Sequence, residues 1–179
     1  MPPAVLTIGH SNHPLDRFLA LLAGHGVEAL VDIRRFPGSR THPHFSRDNL
    51  AAALPKSGVE YHWLEALGGR RHKQRDESPN VGLENRGFRN YADYMLTDEF
   101  REGVEQLLEV ARQKRTAILC AEGLFWQCPR GLVSAFVAGN GVTVQHIMPD
   151  CALRPHNMTS GAVIQGRHVT YPGARSLST

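Results

Sequence analysis

Short apolar runs rich in β-branched residues alternate along this chain with stretches of helical periodicity, and that alternation constrains the fold more than any other feature. The runs are Val5–Gly9, Ala29–Ile33, Val59–Leu64, Thr116–Cys120 and Val142–Ile147. After the first, Pro14 suits the first turn of a helix, and Leu15, Phe18, Leu19 and Leu22 recur at helical spacing until Gly24 and Gly26 end it. Ser46 is a good cap for a short helix through Leu54, stopped by Pro55. Phe88–Leu96 reads as a helix. Thr97 or Asp98 caps a longer one running to about Arg115, with Phe100, Val104, Leu107, Leu108 and Ala111 on one face. Pro129 opens a last helix that ends at Gly139.

Strands separated by helices predict an α/β fold. The expected form is a mostly parallel sheet of about five strands, flanked by helices on both faces in Rossmann-like layers. No G-x-G-x-x-G follows the first strand, so the dinucleotide fingerprint is absent. One domain is expected, with a core over 4–148 and an extension over 149–179, in which Val163–Tyr171 reads as a small hairpin around Gln165-Gly166. Residues 67–87 are rich in Gly, Arg, Asn and Pro and predict a long loop, of a length that in compact domains goes with function or mobility.

Composition narrows the setting. The 179 residues are 41% hydrophobic and 21% charged, ordinary values for a soluble globular chain. No apolar run approaches the roughly 18 residues of a membrane span. Met1-Pro2-Pro3-Ala4 lacks the basic-then-apolar pattern of a signal peptide. Three cysteines without a regular framework predict free thiols in a reducing cytoplasm. The formal charge of +3 is unevenly spread: residues 34–89 hold eleven basic residues against six acidic ones. Such a block suits nucleic acid, a nucleotide or another anion; it also suits a solvated Arg-rich surface.

In an open α/β sheet, ligands bind outside the carboxyl ends of the strands. Those ends carry the candidate residues. Cys120 closes the fourth strand and Glu122 follows it. Cys128, at a helix cap before Pro129 and Arg130, is a candidate nucleophile, since a helix N-terminus and an arginine both stabilise a thiolate. Arg130 then binds an anionic group. Glu122 and His10 are candidates for proton transfer. Asn12, Asp32, Arg34, Arg35 and Ser39 complete a substrate-binding set, with Arg34 able to clamp phosphate or carboxylate, and Gly9 lets the backbone approach a ligand.

Each has a structural alternative. Cys128 can cap inertly, Cys120 can be core, Asp32 can pair with Arg34, and Ser11 and Asn12 can merely form a turn. Cys120-x7-Cys128 is not a zinc spacing, and His42-Pro43-His44 is awkward for joint ligation, so no metal is expected. Nor does Arg130, ten residues after Cys120 and two after Cys128, fit the six-residue spacing of phosphatase-type loops.

Several separated stretches resemble the domain of unknown function 488 family of bacteria and archaea. They are Thr7-Ile8-Gly9-His10-Ser11-Asn12, Asp32–Ser39, Leu67-Gly68-Gly69-Arg70, Phe88-x2-Tyr91-Ala92-x-Tyr94-Met95, Cys120-Ala121-Glu122, Cys128-Pro129-Arg130 and His146-Ile147. The resemblance implies that the strand-end residues form one site. It implies no reaction and no cofactor. Members usually read Cys-His-Arg at the last cysteine; where this chain has Pro129, a role of that histidine would be lost, or would move to His146 or His10. The expectation is a cytoplasmic enzyme acting on an anionic, nucleotide or nucleic-acid substrate. The alternative is a binding module for nucleotide or nucleic acid using the basic 34–89 block.

Overall fold

A computed structural model describes residues 3–158 and 160–173. Met1, Pro2 and residues 174–179, the ends of the N-terminal segment and of the expected extension, lie outside the described residues, as does Thr159. The predicted strands form as β1 (Ala4–Gly9), β2 (Ala29–Asp32), β3 (Glu60–Trp63), β4 (Thr116–Cys120) and β5 (Thr143–Ile147), all parallel. A sixth, β6 (Leu153–Pro155), pairs antiparallel with β5 and completes the order β3-β2-β4-β1-β5-β6. Sequence gave no sign of β6, because its three residues are exposed and one is proline, which is tolerated at a sheet edge. The hairpin is present as β7 (Val163–Gln165) and β8 (His168–Thr170), turned by Gly166 at φ 61°.

The helices are α1 (Leu15–Gly24), α2 (Arg47–Lys56), α3 (Arg86–Tyr94), α4 (Asp98–Gln113) and α5 (Arg130–Gly139). Pro55 does not stop α2 but sits in its last turn, and Lys56 follows it within the helix. Asn85 caps α3 through Phe88 N–H, and Thr97 caps α4 through Phe100 N–H. Pro129, rather than Cys128, occupies the cap position of α5, so the thiol lies one residue outside the expected place. Among the described residues no helix is long and apolar enough to cross a membrane.

The helices cover both faces. Leu6, Ile8, Leu30 and Leu119 pack against Phe18, Leu22, Leu50 and Leu54 of α1 and α2. Val31, Ile118 and Cys120 pack against Tyr91, Phe100, Leu107, Leu132 and Phe136 of α3, α4 and α5. The two sets alternate along each strand, as the pleat requires.

The long loop is not loose. Asp93 on α3 accepts from Ser78 Oγ and from Asn80 Nδ2, each at 2.7 Å. Asn80 Oδ1 in turn accepts from Tyr171 N–H at 2.8 Å, and Gly82 N–H donates to the Tyr171 carbonyl at 2.8 Å. Asn80 is fully buried and Asp93 nearly so. The bonds to Asp93 are charge-assisted and tie the loop to α3, and the neutral pair to Tyr171 ties it to the chain beyond the hairpin.

Candidate functional site

Register decides which strand-end side chains share a face. β1 pairs Gly9 with Cys120, and β2 pairs Asp32 with Leu119. Gly9 and Cys120 therefore point together, while His10, Asp32 and Leu119 point to the opposite face. The strand ends consequently build two clusters.

The first lies on the α1/α2 face. Asp32 is fully buried and accepts four hydrogen bonds: from Arg34 N–H at 3.0 Å, Arg34 Nε at 2.9 Å, Arg34 Nη2 at 2.7 Å and Tyr61 Oη at 2.5 Å. Burial and the Asp32 charge push the Tyr61 phenol far above its ordinary range. His10 stacks on Phe45 at 4.6 Å and its Nδ1 meets the Ser11 carbonyl at 2.8 Å. Burial, before any charge, lowers His10 to about 4, so it is neutral near pH 7.

The second cluster lines a cleft of about 260 Å³ bounded by Ile33, Arg34, Arg35, Phe36, Gly69, Arg70, Cys120, Glu122, Cys128, Pro129 and Arg130 among others. Cys120 and Cys128 are 5% and 8% exposed, with sulfurs 2.9 Å apart. The Cys120 hydrogen bond is the largest influence on Cys128; with the Arg130 charge and backbone N–H it outweighs burial and holds the thiol below its ordinary value. Cys120, buried and donating, is pushed well up. Arg130 is 1% exposed and gives Nη2 to the Gly123 carbonyl at 3.2 Å, yet among the described residues its Nε and Nη1 have no hydrogen-bond partner.

Glycines make this packing possible. A Cβ on Gly9 would lie 1.7 Å from the Glu122 carbonyl oxygen, so the close approach expected of a ligand is made instead by the chain's own Glu122. A Cβ on Gly69 would meet Pro129 Cγ at 2.6 Å, and one on Gly68 would meet the Arg35 backbone at 2.7 Å. Arg70 adopts φ 56°, a costly value for a non-glycine residue, and its carbonyl accepts from Arg35 Nη1 at 2.6 Å.

Of the residues singled out from sequence, Arg34, Arg35, Cys120, Glu122, Cys128 and Arg130 line the cleft together. Asp32 reaches it only through Arg34. His10, Asn12 and Ser39 are not among its lining residues: His10 faces the other side, Asn12 is exposed, and Ser39 Oγ accepts from His42 N–H at 2.9 Å. Sequence reasoning missed Phe36 and Arg70 as lining residues, although the Leu67-Gly68-Gly69-Arg70 stretch was a signal for the second.

Behind the cleft, His146 Nδ1 meets Thr7 Oγ1 at 2.6 Å and its Nε2 meets His156 Nδ1 at 2.9 Å. Phe125 stacks flat on its ring at 3.7 Å. Burial, then the charges around it, lower His146 to about 3. It does not line the cleft. Among the described residues no group of three or more His, Cys, Asp or Glu is placed to hold a metal ion.

No curated protein and no solved structure matches this chain. A family profile does, over residues 14–137, a span that contains every one of the six candidate residues the cleft brings together. By that match the chain belongs to the family described as domain of unknown function DUF488.

Proposed function

We propose that the chain is an enzyme that holds a small anionic substrate against Arg130 and attacks it with the Cys128 thiolate. One observation carries the reading: a buried guanidinium with two unpartnered nitrogens stands beside a thiol of lowered pKa on the same cleft. Leaving charged donors buried and unpaired costs free energy, and an anion offsets that cost. The positive end of α5 adds to the attraction. Arg35 and Arg70 extend the basic wall, and Glu122, exposed at the rim, serves as the proton carrier.

The test is the rate at which iodoacetamide alkylates Cys128 near neutral pH, with and without inorganic phosphate or AMP. Fast alkylation that either anion suppresses, and that Arg130→Met slows, supports the reading. A Cys128 no faster than Cys151 would sink it.

A second reading is a nucleotide or nucleic-acid binding module. Phe36, Trp63 and Trp126 are 62%, 36% and 49% exposed, and Arg47 lies over the Trp63 ring at 4.7 Å, the pairing of aromatic and cation that bases stack on. Not all of the basic 34–89 block is free for this role. Arg71 binds the Gly68 and Glu65 carbonyls and Arg89 binds the Leu83 carbonyl. Binding of an oligonucleotide that weakens steeply with salt and survives Cys128→Ser would favour this reading over the first.

A further inference from the structure

We propose that Cys120 and Cys128 form a dithiol–disulfide couple that exchanges with low-molecular-weight disulfides, with Cys128 as the attacking thiol and Cys120 as the resolving one. The inference shares the Cys128 nucleophile with the proposed function but needs no anionic substrate. It rests on placement. The two sulfurs are 2.9 Å apart without a bond, and both residues line the cleft. A disulfide of about 2.05 Å needs an approach of only about 0.9 Å. The third cysteine is elsewhere, its sulfur 3.4 Å from His25 Nε2.

The division of labour follows from the surroundings. Cys128 precedes α5 and lies close enough to Arg130 for that charge to favour its thiolate. Cys120 ends β4 deeper in the core, where burial keeps its proton on. The thiolate of Cys128 attacks one sulfur of glutathione disulfide. The Cys128–glutathione bond forms, the glutathione S–S bond breaks, and glutathione leaves as a thiolate. Cys128 now carries no negative charge, so the Arg130 charge that acts on both sulfurs acts on Cys120 alone. Cys120 gives its proton to the departed thiolate and attacks Cys128 Sγ. The Cys120–Cys128 bond forms and a second glutathione leaves. Two protein thiols are oxidised by two electrons and one glutathione disulfide is reduced to two glutathiones.

The cleft sets the reagent class. With 5% and 8% of their surfaces exposed, the thiols are reached through a cleft of about 260 Å³, which favours one arm of a small, flexible disulfide over a disulfide held rigidly in a folded protein.

The experiment uses the full chain carrying Cys151→Ser, treated with glutathione disulfide near neutral pH and read by intact mass and peptide mapping. The expected product has lost two hydrogens, retains no glutathione and contains a Cys120–Cys128 cross-link. With Cys120→Ser added, one glutathione stays on Cys128. With Cys128→Ser added instead, Cys120 stays reduced. Glutathione retained on both cysteines, or on Cys120 alone, would overturn the couple. So would thiols that react only after denaturation. Phosphate protection of Cys128 against iodoacetamide, measured on the same samples, separates the two ideas. Protection without a cross-link overturns only the couple, and a cross-link without protection overturns only the anionic substrate.

Discussion

The two clusters at the strand ends contain similar residue types and differ in how their polar atoms are satisfied. Around Asp32, a buried carboxylate collects four donors, and Arg34 and Tyr61 are held by it in return. Around Arg130, a guanidinium that is more deeply buried than Arg34 makes one hydrogen bond of 3.2 Å and leaves Nε and Nη1 unpartnered. Each is an arginine at a strand or helix end beside an acidic or thiol group. The first contributes to stability because its demands are met within the chain. The second costs stability, and the difference separates scaffold from site more sharply than residue type does.

The contrast predicts that removing the buried charge moves stability in opposite directions on the two sides. The largest effect belongs to Asp32→Ala, which strands Arg34 and Tyr61 in a buried setting. Denaturant unfolding is expected to show a loss of about 4 kcal/mol. An unchanged midpoint would erase the distinction. Next is acid. His10 and His146 titrate at about 4 and about 3 when folded and near 6.5 when unfolded. Below about 6.5 the unfolded chain takes up protons that the folded chain refuses. Stability is therefore full above pH 6.5 and is lost as pH falls toward 4, by an amount on the order of 3 kcal/mol for each histidine. His146→Gln should flatten the lower part of that profile, and a slope that persists unchanged assigns the loss to other groups.

Gly69→Ala comes third, at about 2 kcal/mol, because the new methyl meets the Pro129 ring 2.6 Å away. Pro129→Ala in the same chain should recover part of that loss, a coupling that a double-mutant cycle reads directly. Arg130→Met follows with the opposite sign. It removes an unpaired buried charge and is expected to raise stability by about 1 kcal/mol. In the same variant Cys128 alkylation should slow roughly tenfold, because a charge that favours its thiolate is gone. A variant that lost stability as well would show that Arg130 belongs to the scaffold. Smallest is Arg47→Ala, which removes an exposed contact with Trp63 worth about 0.5 kcal/mol.

Sequence revealed the strands and helices where they differ strongly in burial. The runs 29–32 and 116–120 are wholly buried and carry apolar signal at every position except Asp32 and Thr116. β6 carries none, because its stability comes from backbone pairing with β5 and not from side chains. The site was legible as positions and not as directions. Cys120, Glu122, Cys128 and Arg130 could be placed together because they lie on consecutive segments. His10 could not be excluded, because only the pairing of Gly9 with Cys120 reveals that position 10 points away. Nor could Gly9 be read as yielding to the Glu122 carbonyl, a contact between segments more than a hundred residues apart.

The bond from Tyr171 N–H to Asn80 Oδ1 spans 91 residues. During synthesis the loop that bears Asn80 leaves the ribosome well before the segment that fastens it. Until Tyr171 arrives, Asn80 and Gly82 lack the two hydrogen bonds that join them to it, and the loop keeps its bonds from Ser78 and Asn80 to Asp93. Those two bonds act as a latch: they join the loop to a segment made 91 residues later, and the same loop carries Gly69 and Arg70 into the wall of the cleft.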